Sequence, residues 1–200
     1  MKKKETIERI YITNEDFKKI ENEIRFHEHL RRYASVRRFC YGKVMDFACG
    51  CGYGSYLLSC NPDVKEIYAV DIDKESIEWA KHEFKHEKIT YINSSVETID
   101  KKIDTLVSLE TIEHLKDVSI IKNLVKKCNV DNLILCFPDK KSTHFNSFHY
   151  HDFTFQDIID MFPAYLCYHS YKHGDVQFVL MMKLPENAPS HIFRNLKDLY

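Results

Sequence analysis

The stretch VMDFACGCGYGS, residues 44–55, holds three of the five glycines in this 200-residue chain. Gly50, Gly52 and Gly54 stand at alternate positions, although glycine costs conformational entropy and adds no packing. Such a cluster is typical of backbone that turns sharply or approaches a ligand closely. KVMDF before it indicates a short buried strand, and YGSYLLSC after it indicates the start of a helix. Together they predict a site for a nucleotide-like ligand.

Strands and helices alternate along the rest of the chain, which predicts one α/β domain with a doubly wound, mostly parallel sheet. A closing β-hairpin at residues 165–184 brings the sheet to seven strands, the last of them antiparallel. A helix from Thr13 or Asn14 to about Phe39 forms an N-terminal arm. We therefore divide the chain into an arm at 1–42, a core at 43–184 and a tail at 185–200. The predicted strands are 43–47, 66–72, 89–93, 104–110, 132–137, 165–172 and 176–184, and the other predicted helices are 53–60, 74–84, a segment ending near Cys128, and 154–162.

Composition points to an ordinary soluble protein, with 44% hydrophobic and 30% charged residues. No apolar run approaches the ~20 residues that cross a bilayer, and the lysines at the N-terminus precede no apolar segment of a signal peptide. The seven cysteines are an odd number without a C-x-x-C pair, which favours reduced thiols. We expect a cytoplasmic protein without a membrane partner.

The charge is unevenly distributed, because residues 1–43 carry +5 while the whole chain carries −1. A basic arm can contact an anion such as nucleic acid, or it can be the solvated face of an amphipathic helix. We favour the solvated face and expect no nucleic-acid partner. The sequence leaves the oligomeric state open.

The residues around the glycines discriminate between ligands. Asp46 lies in the first strand, where dinucleotide-binding folds usually keep an unbroken apolar run, and Ser55 takes the place of their third glycine. These features disfavour an NAD-dependent oxidoreductase. Asp71 ends the second strand, where a carboxylate accepts the hydroxyls of a ribose in either fold.

Five stretches of the sequence resemble class I S-adenosylmethionine-dependent methyltransferases. Residues 44–55 resemble their first motif, and AVDID (69–73) resembles their second. Three further stretches resemble segments of a subgroup, the bacterial small-molecule and sugar-type methyltransferases. They are HLRRYASVRRFCYGK (29–43), VSLETIEHLKD (107–117) and FNSFHYHDFT (145–154). The resemblance spans about residues 29–160, and the terminal hairpin matches the family's usual order, in which the seventh strand lies antiparallel beside the fifth. It implies methyl transfer to an oxygen or nitrogen of a small acceptor, such as a sugar or an activated precursor of surface polysaccharide or a secondary metabolite.

The resemblance assigns the cofactor S-adenosylmethionine to the glycine-rich turn. Gly50 and Gly52 would let the backbone pass under its methionine part, so that a side chain at Gly52 would enter the ligand's space. Asp46 would act near the amino group, directly or through water. Asp71 would hold the ribose hydroxyls, and Ile72 would pack on the adenine.

The remaining cofactor contacts come from outside that turn. Ser95 stands where the family usually has an aspartate, so the Ser95 hydroxyl and the Val96 backbone would meet the adenine. His29, Arg32 and Tyr33 match a family stretch from which an arginine or tyrosine closes over the methionyl carboxylate. The predicted cofactor set is Arg32, Tyr33, Asp46, Ala48, Gly50, Gly52, Asp71, Ile72, Ser95, Val96 and Glu110.

Two polar segments follow the fourth and fifth strands, at the sheet edge where cofactor and acceptor meet. Methyl transfer needs an aligned nucleophile and exclusion of water, and a hydroxyl acceptor benefits from a general base. We predict Glu110, His114 and His149 as catalytic residues, with His114 or His149 as the base. The alternative is that Glu113 and His114 only cap or orient the loop.

The same residues allow a second interpretation. E-x-x-E-H followed by a histidine-rich loop resembles the metal site of small-RNA 2′-O-methyltransferases, which would use Glu110, Glu113 and His114 with His149 or His151. Their longer H-x-D-H-x-F-E-W run is absent from this sequence, and we predict no metal. A catalytically silent protein that binds S-adenosylmethionine is the other alternative, which only turnover separates from an enzyme.

Overall fold

The computed structural model describes Thr13 and residues 24–95 and 100–185. The start of the predicted arm helix, Val96 and the tail after residue 185 lie outside this part of the chain. The helices are α1 (Ile24–Val36), α2 (Tyr53–Ser59), α3 (Lys74–Glu83), α4 (Ser119–Lys127) and α5 (Phe155–Met161), with short 3-10 turns at Arg37–Phe39 and Ile112–His114. The strands are β1 (Gly42–Phe47), β2 (Val64–Asp71), β3 (Ile89–Asn93), β4 (Thr105–Leu109), β5 (Asn132–Pro138), β6 (Tyr165–His173) and β7 (Val176–Lys183).

The seven strands form one sheet in the order β3-β2-β1-β4-β5-β7-β6. The first five strands pair in parallel, whereas β7 lies antiparallel between β5 and β6. The predicted fold class is confirmed, including the antiparallel last strand beside β5. Because β1 lies between β2 and β4, the chain reverses its direction of winding there, and the glycine-rich turn follows at that position.

Apolar residues cover both faces of the sheet. Neighbouring residues of β1 point to opposite sides: Val44 belongs to one core cluster with Leu58 and Ile77, whereas Met45 belongs to a second cluster with Ile121 and Leu124. This distribution explains the nearly continuous apolar strands, since a sheet buried on both faces needs no polar alternation. None of the helices in the described ranges is long and apolar enough to cross a bilayer.

The segment after β4 differs from the prediction of a helix reaching directly to Cys128. Glu110 has a φ of 53°, which ends the strand with a left-handed residue. The 3-10 turn at Ile112–His114 follows, and α4 begins only at Ser119. There the Asp117 carboxylate accepts hydrogen bonds from the Ser119 backbone N–H and hydroxyl. The break keeps residues 110–115 at the edge of the sheet, beside the end of β1.

Helix α1 packs on the start of α2 through a tyrosine and a glycine. A Cβ atom at Gly54 would lie 2.1 Å from Cζ of Tyr33, so the ring occupies the space that any other residue would fill. Tyr33 is buried and stands edge-on to Tyr53, with the ring centroids 5.8 Å apart. The third glycine of the opening stretch is therefore required for packing of the arm.

A Gly54→Ala substitution tests this packing because its two effects have opposite signs. In an ordinary helix the change stabilises by about 0.5–1 kcal/mol. Here we expect it to lower the free energy of unfolding by ~1–3 kcal/mol, since the methyl group displaces Tyr33. Urea denaturation measures the change. In a Tyr33→Ala background the same substitution should become stabilising, and an equal loss in both backgrounds would contradict the proposed contact.

Candidate active site

A cavity of about 380 Å³ opens at the carboxyl ends of β1, β2 and β4, within the size range of small-ligand sites. Residues from α1 and from the loops after β1, β2, β3 and β4 line it. Eight members of the predicted cofactor set are among them: Arg32, Tyr33, Ala48, Gly50, Asp71, Ile72, Ser95 and Glu110. Asp46 and Gly52 do not line the cavity, and Val96 lies outside the described residues.

The turn after β1 is held by the carboxylate that ends β2. Ala48, Gly50 and Gly52 all have positive φ, at 60°, 54° and 85°, which accounts for glycine at two of the three positions. Asp71 Oδ2 accepts a hydrogen bond of 2.9 Å from the Gly50 N–H, and its Oδ1 accepts one of 2.8 Å from the Asp73 N–H. Asp71 therefore fixes the shape of the turn as well as lining the cavity.

Gly50 and Gly52 face opposite sides of this turn. A Cβ atom at Gly50 would meet nothing within 4 Å, which fits close approach of a ligand. A Cβ atom at Gly52 would lie 2.6 Å from Cβ of Ala80 and 2.9 Å from the Tyr91 ring. The expectation that a Gly52 side chain would enter the ligand's space is wrong, because that side of the backbone packs against α3 and β3.

Asp46 is fully buried below the cavity. Its Oδ1 accepts a hydrogen bond of 3.1 Å from the Tyr33 hydroxyl, and its Oδ2 accepts one of 2.6 Å from the Ser55 hydroxyl. Burial raises the pKa of Asp46 to about 6, although both hydroxyls oppose the shift. Tyr33 lines the cavity, and Asp46 accepts the hydrogen bond of the Tyr33 hydroxyl from behind it. Its place near the cofactor's amino group stays a prediction.

Arm residues also form polar contacts at the cavity wall. The Arg32 guanidinium lies 3.5 Å from Oε2 of Glu110, and His29 Nδ1 lies 3.0 Å from the Tyr53 hydroxyl. Burial raises the pKa of Glu110, while the charges of Arg32 and His114 act in the opposite direction. Glu110 therefore pairs with Arg32 and not with His114 or His149.

The two predicted catalytic histidines lie together, with their ring centroids 4.5 Å apart and the rings edge to face. His114 lines the cavity. Its Nδ1 lies 3.1 Å from the Phe148 carbonyl, and its Nε2 lies 3.9 Å from Oε1 of the buried Glu113. Because a carbonyl oxygen only accepts, Nδ1 of His114 carries a proton, and in the neutral ring the lone pair lies on Nε2.

Three of the residues considered for a metal come together. One ligand atom from each of Glu113, His114 and His149 lies within 4.8 Å of the others. Glu110 is not part of this group, since it pairs with Arg32. His151 Nε2 lies 2.9 Å from the Leu115 carbonyl and is used there as a donor.

Several contributors were not found by sequence reasoning. Thr111 and Leu115 line the cavity from within the ETIEHL segment, and Ile120 does so from α4. Ser142 holds His149 Nδ1 at 2.6 Å. A serine seven residues before a histidine in a loop carries no periodic signal, so only the folded loop reveals this pair.

The comparisons with known proteins agree with this geometry. Residues 47–128 match a family model described as a methyltransferase domain. ChlM, the magnesium protoporphyrin IX methyltransferase of Synechocystis PCC 6803 crystallised with bound S-adenosylmethionine, has a TM-score of 0.62 at 16% identity, covering 86% of this chain and 93% of its own. The N-methyltransferase NodS of Bradyrhizobium japonicum WM9, in complex with S-adenosyl-L-homocysteine, has a TM-score of 0.66 at 14% identity, covering 84% and 91%.

A third solved structure is the methyltransferase domain of bacterial CtHen1-C, with a TM-score of 0.63 at 18% identity, covering 82% of this chain and all of that one. A search of curated protein sequences finds no match. The family model over residues 47–128 and the fold shared with these structures support a class I S-adenosylmethionine-dependent methyltransferase, as the sequence motifs indicated. Both findings support an enzyme that uses S-adenosylmethionine as its cofactor.

The buried carboxyl of Asp46 makes stability depend on pH. Its pKa of about 6 in the folded state exceeds its ordinary value of 3.8, so the folded protein binds more protons than the unfolded chain between these values. Stability should therefore fall as pH rises through this window, by about 3 kcal/mol in total. Asp46→Asn should remove this loss, which urea denaturation between pH 4 and 7 measures.

The exposed Asp63 provides a matched control, because Asp63→Asn changes the same functional group at the surface. We expect the Asp63 variant to keep the pH dependence of the wild type. If the Asp46 variant keeps it as well, the carboxyl of Asp46 is not the source.

Proposed function

We propose that the protein transfers a methyl group to a hydroxyl of a small acceptor, a sugar or an activated sugar, with His114 as general base. The observation that carries the proposal is the state of His114. It lines the cavity, and the Phe148 carbonyl holds its Nδ1–H, so that Nε2 presents a lone pair. A neutral imidazole is a general base suited to neutral pH.

The cofactor would occupy the cavity at the turn after β1. Asp71 would accept the ribose hydroxyls, Ile72 and Ser95 would contact the adenine, and the open side of Gly50 would face the methionine part. Arg32 would bind the methionyl carboxylate, for which its pairing with Glu110 keeps the guanidinium at the wall. S-adenosylmethionine supplies a methyl group activated by its sulfonium.

Proton transfer falls to the residues after β4. Nε2 of His114 would take the proton of the acceptor hydroxyl as the oxygen attacks. The buried Glu113 carboxylate, 3.9 Å from Nε2, would stabilise the imidazolium that forms. An amine acceptor would need only its neutral lone pair, so the base distinguishes O-methylation from N-methylation.

The loop after β5 supports a sugar as the acceptor. Phe145, Phe148 and Tyr150 are 78%, 53% and 48% exposed, which is unusual for aromatic side chains in one short loop. Lys116 Nζ lies 5.4 Å from the centroid of the Tyr150 ring. Aromatic faces can cover the apolar face of a sugar ring, and a lysine can pair with the phosphate of an activated one.

The cellular setting belongs to the same proposal. All seven cysteines are free, which fits a reducing compartment and hence the cytoplasm. An activated sugar made there would place the reaction in the synthesis of surface polysaccharide or of a secondary metabolite.

A His114→Gln variant tests the proposed base. Purified protein is incubated with methyl-labelled S-adenosylmethionine and a panel of free sugars, nucleotide-activated sugars, amines and short RNAs, and formation of S-adenosylhomocysteine is followed. We expect turnover with a sugar acceptor, and a loss of ~10²–10⁴-fold in kcat for the variant. Affinity for S-adenosylhomocysteine, measured by calorimetry, should change less than twofold.

His82 is exposed on α3 and supplies the control, since His82→Gln changes a histidine far from the cavity. That variant should keep full activity. Unchanged turnover in His114→Gln would overturn the role of His114, and turnover with amines or RNA alone would overturn the proposed acceptor.

A metal-dependent RNA 2′-O-methyltransferase is the second candidate function. It is favoured by the grouping of Glu113, His114 and His149, whose residue types suit a divalent transition metal. In that case Nε2 of His114 would bind the ion with the lone pair that we assign to proton transfer. The absence of Glu110 from the group argues for the base, because it leaves three ligands rather than the four expected from the motif.

Chelation separates the two candidates. A histidine base is indifferent to EDTA, whereas removal of a catalytic ion eliminates its Lewis-acid role. We expect activity after EDTA dialysis to match the untreated enzyme, with no gain from Mg²⁺, Mn²⁺ or Co²⁺. A loss of more than ~10-fold that added metal restores would favour the metal-dependent candidate.

A further inference from the structure

A serine hydroxyl lies between His149 and a carboxylate. The Ser142 hydroxyl lies 2.6 Å from His149 Nδ1 and 3.4 Å from Oδ1 of Asp152. A hydroxyl has one proton and a carboxylate can only accept, so both contacts are hydrogen bonds only where Ser142 donates to Asp152 and accepts from His149. In that arrangement Nδ1 of His149 carries the proton, and Nε2 of the neutral ring carries the lone pair.

Further hydrogen bonds fix the position of the Asp152 carboxylate. Its Oδ1 accepts from the backbone N–H groups of Ser142 and Thr143, at 2.6 and 3.1 Å, and its Oδ2 accepts from the Thr143 hydroxyl at 2.7 Å. These bonds lower the pKa of Asp152 to about 2, so it is ionised throughout the neutral range. The carboxylate thereby joins the two ends of the loop 142–152.

The closed loop also fixes His114. Besides the bond from His114 Nδ1 to the Phe148 carbonyl, the Tyr150 N–H donates to the Glu113 carbonyl at 2.8 Å. Two bonds from residues 148–150 thus position the segment that carries Glu113 and His114. His149 lies between Phe148 and Tyr150 in the sequence, and its ring packs edge-on against His114.

We infer that Asp152 and Ser142 are positioning residues of the methyl transfer, which close the loop 142–152 and hold both His114 and His149 as Nδ1–H tautomers. The inference rests on the proposed function, since it concerns the base assigned there. Neither Ser142 nor Asp152 lines the cavity, so both act only through the two imidazoles. In free imidazole side chains in water the other tautomer, with the proton on Nε2, predominates, so the assignment makes a distinctive prediction.

The consequence for the reaction is a single direction of proton movement. The acceptor proton arrives at Nε2 of His114, and Nδ1–H stays bonded to the Phe148 carbonyl, so the imidazolium is complete without any rearrangement. It returns to the neutral state by losing the Nε2 proton to water. With the other tautomer, Nε2 would already carry a proton and the base would be blocked.

Nitrogen NMR of protein labelled with ¹⁵N-histidine tests the tautomers directly, without an acceptor. Long-range ¹H–¹⁵N spectra at pH 8 separate protonated from unprotonated ring nitrogens, and His114→Gln and His149→Gln variants assign the signals. We expect Nδ1–H for both residues in the wild type. Ser142→Ala should shift His149 towards the Nε2–H form, Ser142→Thr should preserve its tautomer, and Asp152→Asn should disturb both histidines.

Asp157→Asn is the matched control, because Asp157 also accepts from a hydroxyl and a backbone N–H, those of Thr154, at the start of α5. It should leave both tautomers unchanged. Affinity for S-adenosylhomocysteine should stay within twofold in every variant, which shows that each is folded. An Nε2–H tautomer of His149 in the wild type, or no change in Ser142→Ala, would overturn the inference.

Turnover adds a readout that a merely structural role would not move. With an acceptor found as above, Asp152→Asn, which disturbs His114 as well as His149, should lower kcat at least tenfold at unchanged KM for S-adenosylmethionine, and Asp157→Asn should leave kcat unchanged. Altered tautomers with unchanged kcat would overturn the positioning role. The expected tautomers in a protein that methylates none of the sugars would instead refute the proposed acceptor and leave the hydrogen-bonded arrangement intact.

Discussion

The hydrogen bond between the Asp71 carboxylate and the Gly50 N–H is the constraint on which the cavity at the turn after β1 depends. It joins the ends of β1 and β2 and stabilises a turn in which three residues have positive φ. Left-handed backbone costs free energy unless its surroundings fix it, and here a nearly buried carboxylate does so. The cavity at the edge of the sheet exists because this turn leaves the backbone open on the side of Gly50.

Much of the fold followed from the sequence because strands buried on both faces leave long apolar runs. Ile89–Asn93 was predicted to the residue, and the antiparallel β7 beside β5 was expected. The break at residues 110–118 was not, since it depends on a left-handed Glu110 and on the Asp117 carboxylate at the start of α4. Local polar contacts of this kind leave no periodic pattern.

The candidate site was predictable in its residue types but less so in its geometry. The motifs indicated Asp71 and His114, which both line the cavity. The side of the backbone that each glycine keeps clear could not be read from spacing, and Gly52 and Gly54 serve contacts with Tyr91 and Tyr33 instead. The hydrogen bonds to Asp46 were not predicted either, because their donors, the Tyr33 and Ser55 hydroxyls, lie outside its strand.

The contribution of α1 to the cavity wall has a thermodynamic consequence. Arg32 and Tyr33 belong to the arm, yet they line the same cavity as the turn after β1. If the cofactor is bound more tightly with the arm docked, then the cofactor must favour docking by the same factor, because coupling between two equilibria is reciprocal. Anything that contacts the outer side of α1 can therefore change cofactor affinity without approaching the cavity.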